Sequence, residues 1–555
     1  MTPRALLQTE WPKLVTAMVA ALLAALLAIS SYGDRPAQAA SGCNGPWGPG
    51  NWPPACWQPY ADTSPFNTPL PPNPQSVLRS EQITDRIFTV RNSTNQGIAR
   101  EAHPANLAAN RAGTAGEPTY YSRPSDPNFR LHCEGDPFGR PDGQCPIEGV
   151  VIDIPAGAGI EEPAGSDHHL TVVNQAKGLE YDLWQVKAVD EAGPEPREPV
   201  VDKLPTGLSN DPNVVHDLYF SWGGRIDLYG LGLVDPDDKP HGLVGDATAA
   251  HFGSLAGRLR AEELAEGQIN HALFIGVDCV GGAPVYPARG QGRLCSEIGL
   301  SDADAPHMGT RLRLNMSEAQ INGLNIDPWK KTILQALRKY GAFIGDTGTK
   351  GYFVIEAEAG VQYLTYGQTD KWWQFGGAKD PLDPTQQRHI WNPWDSNGDS
   401  VVDEYVGKLY NDDDDPKSGQ PGFVNWESQV WENMEVVDPE VSRDKVAPVI
   451  TRVTPVPGST GVSTTKNVSV LFSEAMQKSS INGTTFSLVK KGNTTPVSAT
   501  VSYNAATTTA TLNPSRDLRR GATYIATVAG GSSGVRDLSA NPLAADKVWR
   551  FTVRN

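Results

Sequence analysis

Val468-Ser469-Val470-Leu471-Phe472 and, further on, Tyr524-Ile525-Ala526-Thr527-Val528 alternate apolar with small or polar side chains. A period of two places successive side chains on opposite faces, so each run predicts a half-buried β-strand. Turn signals stand between such runs: Pro457-Gly458, Asn482-Gly483 and Asn541-Pro542. The surrounding segment is rich in Thr, Ser and Val and holds neither Cys nor His. Residues 444–555 therefore predict a small antiparallel β-sandwich with no titratable cluster to catalyse with.

The motifs of this segment have a known look. Asp444-Lys445-Val446-Ala447-Pro448, the Thr454-Pro455 to Pro457-Gly458 turn, Gly461-Val462-Ser463 and Phe472-Ser473-Glu474-Ala475-Met476 come in order. Asp537-Leu538-Ser539-Ala540-Asn541-Pro542-Leu543 follows and closes on Trp549 and Phe551. Together they resemble the bacterial SbsA-type Ig-like domain. The resemblance implies a spacer or adhesive stalk in a surface-layer or secreted protein.

Working outward, 555 residues are too many for one compact core, and 55 Gly with 45 Pro point to turns rather than helix bundles. The formal net charge of -16, from 47 Lys+Arg against 63 Asp+Glu, argues against nucleic acid or an anionic membrane surface as main partner. Residues 1–39 read as a secretory signal peptide: Arg4 and Lys13, an apolar run from Leu14 to Ile29, then Ala37-Gln38-Ala39. An uncleaved anchor is the alternative, but the run is shorter than the roughly 20 residues that span a bilayer. The expected mature chain is secreted or at the cell surface, with no membrane span.

All six cysteines lie beyond the cleavage site. Six allow 15 pairings, and proximity favours Cys43–Cys56, Cys133–Cys145 and Cys279–Cys295. Each would close a Gly/Pro-rich loop, worth roughly 3 kcal/mol in the chain-entropy account. Neither Cys-x-x-Cys nor a Cys-plus-His spacing supports the alternative, a metal site.

Residues 40–75 form a Pro/Gly-rich lead-in. Residues 76–375 show short β-like runs, among them Val150–Ile154, His169–Val173, Tyr181–Val186 and Ile269–Val277. One helix is well marked: Asp327 as N-cap, Pro328 at the first position, Trp329, Ile333, Leu337 and Tyr340 on one face, and Gly341 as the stop. A shorter one is expected at Ala261–Glu266. The prediction is a mainly β chain: a large β-sandwich-like domain with a few helices, then the Ig-like sandwich. Residues 376–443 read as an acidic, Trp-containing extension whose end, Val430–Val437, returns to the preceding domain.

Within the main domain, Asp167-His168-His169-Leu170-Thr171-Val172-Val173-Asn174 and Glu180-Tyr181-Asp182-Leu183-Trp184 stand out. With Ala249–Gly257, Ile269-Asn270-His271-Ala272-Leu273 and Ala336–Gly341, they resemble a family of secreted bacterial proteins without an assigned biochemical role, over about residues 60–437. On adjacent strands, Asp167, His169 and Asp182 would converge, with Trp184 and Tyr181 as aromatic contacts for a sugar. Such a set suits acid/base chemistry with His169 as base or acid. The plainer alternative is a polar hairpin whose Asp and His cap backbone groups.

Asp395-Ser396-Asn397-Gly398-Asp399-Ser400-Val401-Val402-Asp403-Glu404 spaces oxygen ligands as a calcium loop does, with Asp395, Asn397, Asp399 and Asp403 as ligands. Ser400 replaces the usual Gly and Val406 the usual Glu, so a structural Ca2+ here would bind weakly. Gly530-Gly531-Ser532-Ser533-Gly534 fits a nucleophile elbow but sits in the sandwich with no later His to complete a triad. Three function classes follow. One is a binder of extracellular polysaccharide or a cell-envelope component, favoured by 14 Trp and 16 Tyr. The others are a carbohydrate lyase or hydrolase and a structural envelope protein.

Overall fold

The computed structural model describes residues 48, 51–87, 90–91, 97–98, 105–108, 118–135, 143–160, 168–190, 204–234, 248–326, 328–347, 353–358, 365–368, 423–424, 430 and 432–555. The expected mainly β architecture is present. Its main part holds a short hairpin, β1 (Val90–Arg91) with β2 (Gly97–Ile98), and two larger sheets.

The first larger sheet has seven strands. Its members are β3 (Ala105–Ala108), β10 (Leu273–Val277), β11 (Arg311–Leu314), β12 (Ala342–Thr347), β13 (Phe353–Glu356), β14 (Phe423–Val424) and β15 (Met434–Val437). They run in the order β14-β3-β13-β10-β12-β11-β15. The second has six: β4 (Thr119–Tyr121), β5 (Asn128–Cys133), β6 (Val151–Asp153), β7 (Leu170–Asn174), β8 (Leu179–Val189) and β9 (Val215–Asp227), in the order β4-β7-β8-β9-β5-β6. Both sheets are mixed. β10 and β12 are parallel, as are β3 with β13, β4 with β7, and β5 with β9.

Among the described residues four α-helices accompany them: α1 (Ser80–Ile87), α2 (Ala261–Glu266), α3 (Glu318–Gly323) and α4 (Pro328–Lys339). α4 connects β11 to β12, which pair antiparallel, while β12 also pairs in parallel with β10 on its other side. Its Trp329, Ile333 and Leu337 are buried, and Gly341 turns the chain at φ 73°. Parallel pairs inside both sheets are a departure from a simple sandwich. The local signals for α4 predict the helix, not which strands it connects.

The main core lies between the two sheets. Tyr121, Val173 and Ile226 of the six-stranded sheet meet Phe274, Ile344 and Ile355 of the seven-stranded one. Trp57, Tyr60 and Phe66 of the lead-in are buried in that core. The lead-in has few regular hydrogen bonds of its own and takes them from its neighbours: Tyr60 N–H donates to Leu228 O at 2.8 Å, and Ala272 N–H to Phe66 O at 2.7 Å. The opposite face of the six-stranded sheet covers a second core with Tyr120, Leu170, Val172, Leu183 and Phe220.

Arg311 ties distant pieces together. Its guanidinium is buried over the Phe343 ring, donates to Thr68 O at 2.8 Å and to Ser442 Oγ at 3.1 Å, and bonds Tyr340 O. Cys133–Cys145 and Cys279–Cys295 are bonded, with Cα–Cα separations of 6.1 and 4.9 Å. Cys56 is also in a disulfide, and Cys43, its expected partner, lies outside the described residues.

Residues 444–555 pack two antiparallel sheets around a core of their own. One is β16 (Ile450–Thr454), β17 (Val468–Phe472), β20 (Thr509–Pro514) and β19 (Ala499–Asn504). The other is β18 (Phe486–Lys490), β21 (Thr523–Val528) and β22 (Lys547–Thr552). Val468, Val470 and Phe472 face the core, as do Tyr524, Ala526 and Val528, following the alternation in the sequence. No described helix is long and apolar enough to cross a membrane.

Candidate functional site

The hairpin β7–β8 sets out the acidic residues in register. Thr171 pairs with Asp182 and Val173 with Glu180. Glu180 and Asp182, two apart, share the strand face that turns toward the main core. Both are fully buried. Asp182 accepts from Thr171 Oγ1 and from Ser254 N–H, each at 3.2 Å. Glu180 accepts from Tyr60 Oη at 2.6 Å and Leu255 N–H at 2.8 Å, and hydrogen-bonds the Asp182 carboxyl. Burial, then the adjacent Asp182 charge, push the Glu180 carboxyl well above the usual carboxylate range. Two carboxyls this close in a dry place hold a proton between them, because both cannot ionise. The turn that caps the pair requires Gly253: a Cβ there would run into the Tyr60 hydroxyl and lie 3.0 Å from a Glu180 oxygen.

Of the residues singled out in the sequence, Asp182 is thus the best placed and the least accessible. His169, one residue ahead of β7, is 4% exposed. Asp167 lies outside the described residues, as do Asp395, Asn397, Asp399 and Asp403. Tyr181 turns away from Asp182 and is buried in the second core. Trp184 is half-buried and packs on that same second core, opposite Trp222 in the ladder. The two aromatics do not form a shared platform with Asp182.

A second buried network flanks the first. Arg260 donates to Ala55 O at 2.6 Å and Trp57 O at 2.8 Å, and its guanidinium lies over the Trp57 ring. His271 bridges Glu263 Oε1 at 3.0 Å and Ala272 O at 2.8 Å. Burial works against a charged His271, but the Glu263 carboxylate outweighs it and raises the imidazole. Glu358, which accepts from Tyr121 Oη at 3.1 Å, is pushed up to about 7 by burial.

Tyr60 has a second neighbourhood. With Trp57, Tyr229, Gln58 and Asp62 it lines a cleft of about 130 Å3, whose far wall is the Ig-like unit at Ser473, Glu474 and Thr508. Glu474 is part of a group that corrects the expectation of a sandwich with no titratable cluster. One oxygen each from Asp444, Glu474 and Asp537 lies within 4.8 Å of the others. Asn541 holds Asp537 through its backbone N–H at 2.8 Å and side-chain amide at 2.9 Å. Partial burial, then the Asp537 and Asp444 charges, push Glu474 up to about 7. Three carboxylates are a donor set for a hard cation, though short of the six to eight oxygens calcium takes. The cluster was hidden because its members are far apart in the chain and each belongs to a motif readable as turn chemistry.

Residues 444–553 match the family model for the bacterial Ig-like domain. Appended to a separate β-rich unit, that domain makes the chain modular and fits a surface or extracellular protein. Among solved structures, the S-layer protein SbsC is similar at 20% identity over 21% of this chain and 14% of its own, with a TM-score of 0.16. CopC from Methylosinus trichosporium OB3b (15% identity, 19% of this chain, 93% of its own, TM-score 0.16) is another. So is PcoC, a methionine-rich copper resistance protein from Escherichia coli (18% identity, 20% of this chain, 100% of its own, TM-score 0.17). At these scores they carry no argument about function. No curated protein matches the chain.

Proposed function

We propose that this chain is a secreted cell-surface or extracellular protein whose β-rich domain engages extracellular polysaccharide or another glycan of the cell envelope. In this reading the cleft beside the Ig-like unit is the binding site. The supporting observation is its lining: three aromatic rings, Trp57, Tyr60 and Tyr229, with Gln58 and Asp62 as polar neighbours. Each ring is less than a tenth exposed, so a margin of apolar surface rather than an open ring face meets the polar groups, and clefts between domains are common places for ligands. The Ig-like unit is then both stalk and wall. The acidic extension contributes a calcium loop through Asp395, Asn397, Asp399 and Asp403.

The burial of Asp182, with both its oxygens engaged, weighs against a lyase or hydrolase built on Asp167, His169 and Asp182. Affinity electrophoresis of the mature chain in gels containing cell-wall or extracellular polysaccharides tests the binding reading. Retardation by at least one polysaccharide, lost in Thr508→Trp, is expected. Release of new sugar ends from the same polysaccharides, abolished by His169→Ala, would put the enzyme reading in its place.

A further inference from the structure

The charge around the cleft is one-sided. Among its lining residues the charged side chains are Asp62 and Glu474, and none is Lys, Arg or His. Behind Glu474 stand Asp444 and Asp537. Asp227 acts electrostatically on Tyr503, whose hydroxyl accepts from Met476 N–H at 2.8 Å near the same wall. The chain as a whole carries -16. A cleft with low-dielectric walls and one sign of charge concentrates the opposite sign and repels its own. Uronate, sulfate or phosphate groups would therefore be turned away. A neutral hydroxyl gains little from two carboxyls, whereas an ammonium group gains a charge-assisted hydrogen bond.

Resting on the reading of the cleft as a glycan site, we infer that its ligand is an amino-sugar chain bearing free, unacetylated amines. Asp62 of the main domain and Glu474 of the Ig-like unit take the ammonium. Trp57, Tyr60 and Tyr229, each less than a tenth exposed, supply only a margin of apolar contact at the base of the cleft. The specificity lies in the junction, since neither unit alone presents both carboxyls.

The test is calorimetric titration of the mature full chain with a glucosamine tetramer, its N-acetylated counterpart and a galacturonate oligomer. The free-amine tetramer should bind, the acetylated one at least about tenfold more weakly, and the uronate not at all. Asp62→Asn and Glu474→Gln should each weaken the free-amine tetramer by about tenfold and flatten its salt dependence. Melting curves for both variants establish that they fold, and Thr508→Trp blocks the cleft without touching a carboxyl. Equal affinity for the acetylated tetramer overturns the amine assignment and leaves the glycan reading standing. Binding that survives Thr508→Trp, or uronate binding, also overturns it. No binding of any saccharide, here or in the polysaccharide gels, removes both.

Discussion

Glu180 and Glu358 are carboxyl groups that the fold keeps from ionising at mildly acidic pH. Glu358 has a folded value of about 7 against an ordinary 4.5, so its protonated form is the one the fold favours. Its contribution is complete below about pH 4.5 and is lost as pH rises through about 7. Glu180 is displaced in the same direction, and His271, raised by Glu263, likewise loses its contribution as pH climbs above the ordinary imidazole range. Glu263 is depressed, with its contribution lost on the acid side instead. Melting temperature should therefore fall as pH rises from about 4.5 through about 7, and Glu180→Gln and Glu358→Gln should each flatten the fall, as differential scanning calorimetry across that range will show. Gly253→Ala should cost about 1–3 kcal/mol in chemical denaturation, because the new methyl meets Tyr60 and Glu180 in a packed turn. The strand carrying Asp182 was legible in the sequence, whereas no role fell to its buried neighbour Glu180. Nor was Glu180's partner Tyr60 legible, since nothing local says that a Pro/Gly-rich lead-in will be buried 120 residues away.

At the level of elements, alternation and turn chemistry carried most information where contacts are local. The Ig-like strands and α4 are such cases: each pattern is complete within a single run of chain, although of the sandwich pairings only β19 with β20 is closed by a short turn. The mixed sheets of the main domain were opaque for the converse reason. β3 pairs with β13, and β15 with β11, across long stretches of sequence, and no side-chain period encodes such a partner. The six cysteines were informative because proximity constrains short loops. Non-reducing peptide mapping should recover Cys43–Cys56 beside the two bonded pairs, and a free thiol at Cys43 would refute that pairing. For the acidic extension, calorimetry with millimolar calcium should give binding at roughly 10⁻⁴–10⁻³ M, abolished by Asp399→Ala. Absence of heat in the wild type would leave residues 395–404 an acidic turn.

On the scale of the whole molecule, residues 444–555 have a closed core and antiparallel sheets, and should fold when expressed alone. A far-UV spectrum of random coil from that fragment would contradict this. The same fragment should lose all affinity for whatever saccharide the full chain binds, because Trp57, Tyr60 and Asp62 remain behind. The path by which the two units are joined has a mechanical side. The chain leaves the main domain through β15, an edge strand of the seven-stranded sheet, and Ser442 is held by Arg311 just before the Ig-like unit begins. Arg443 then lies over Tyr286, with its guanidinium 4.3 Å from the ring centre. Tension applied to the Ig-like unit would reach the Arg443–Tyr286 contact and then the buried Arg311 at Ser442 before the β15 ladder. Arg311 fastens Thr68, the end of α4 and the turn after the exit strand at once, so tension is shared among three parts of the domain before any strand can peel.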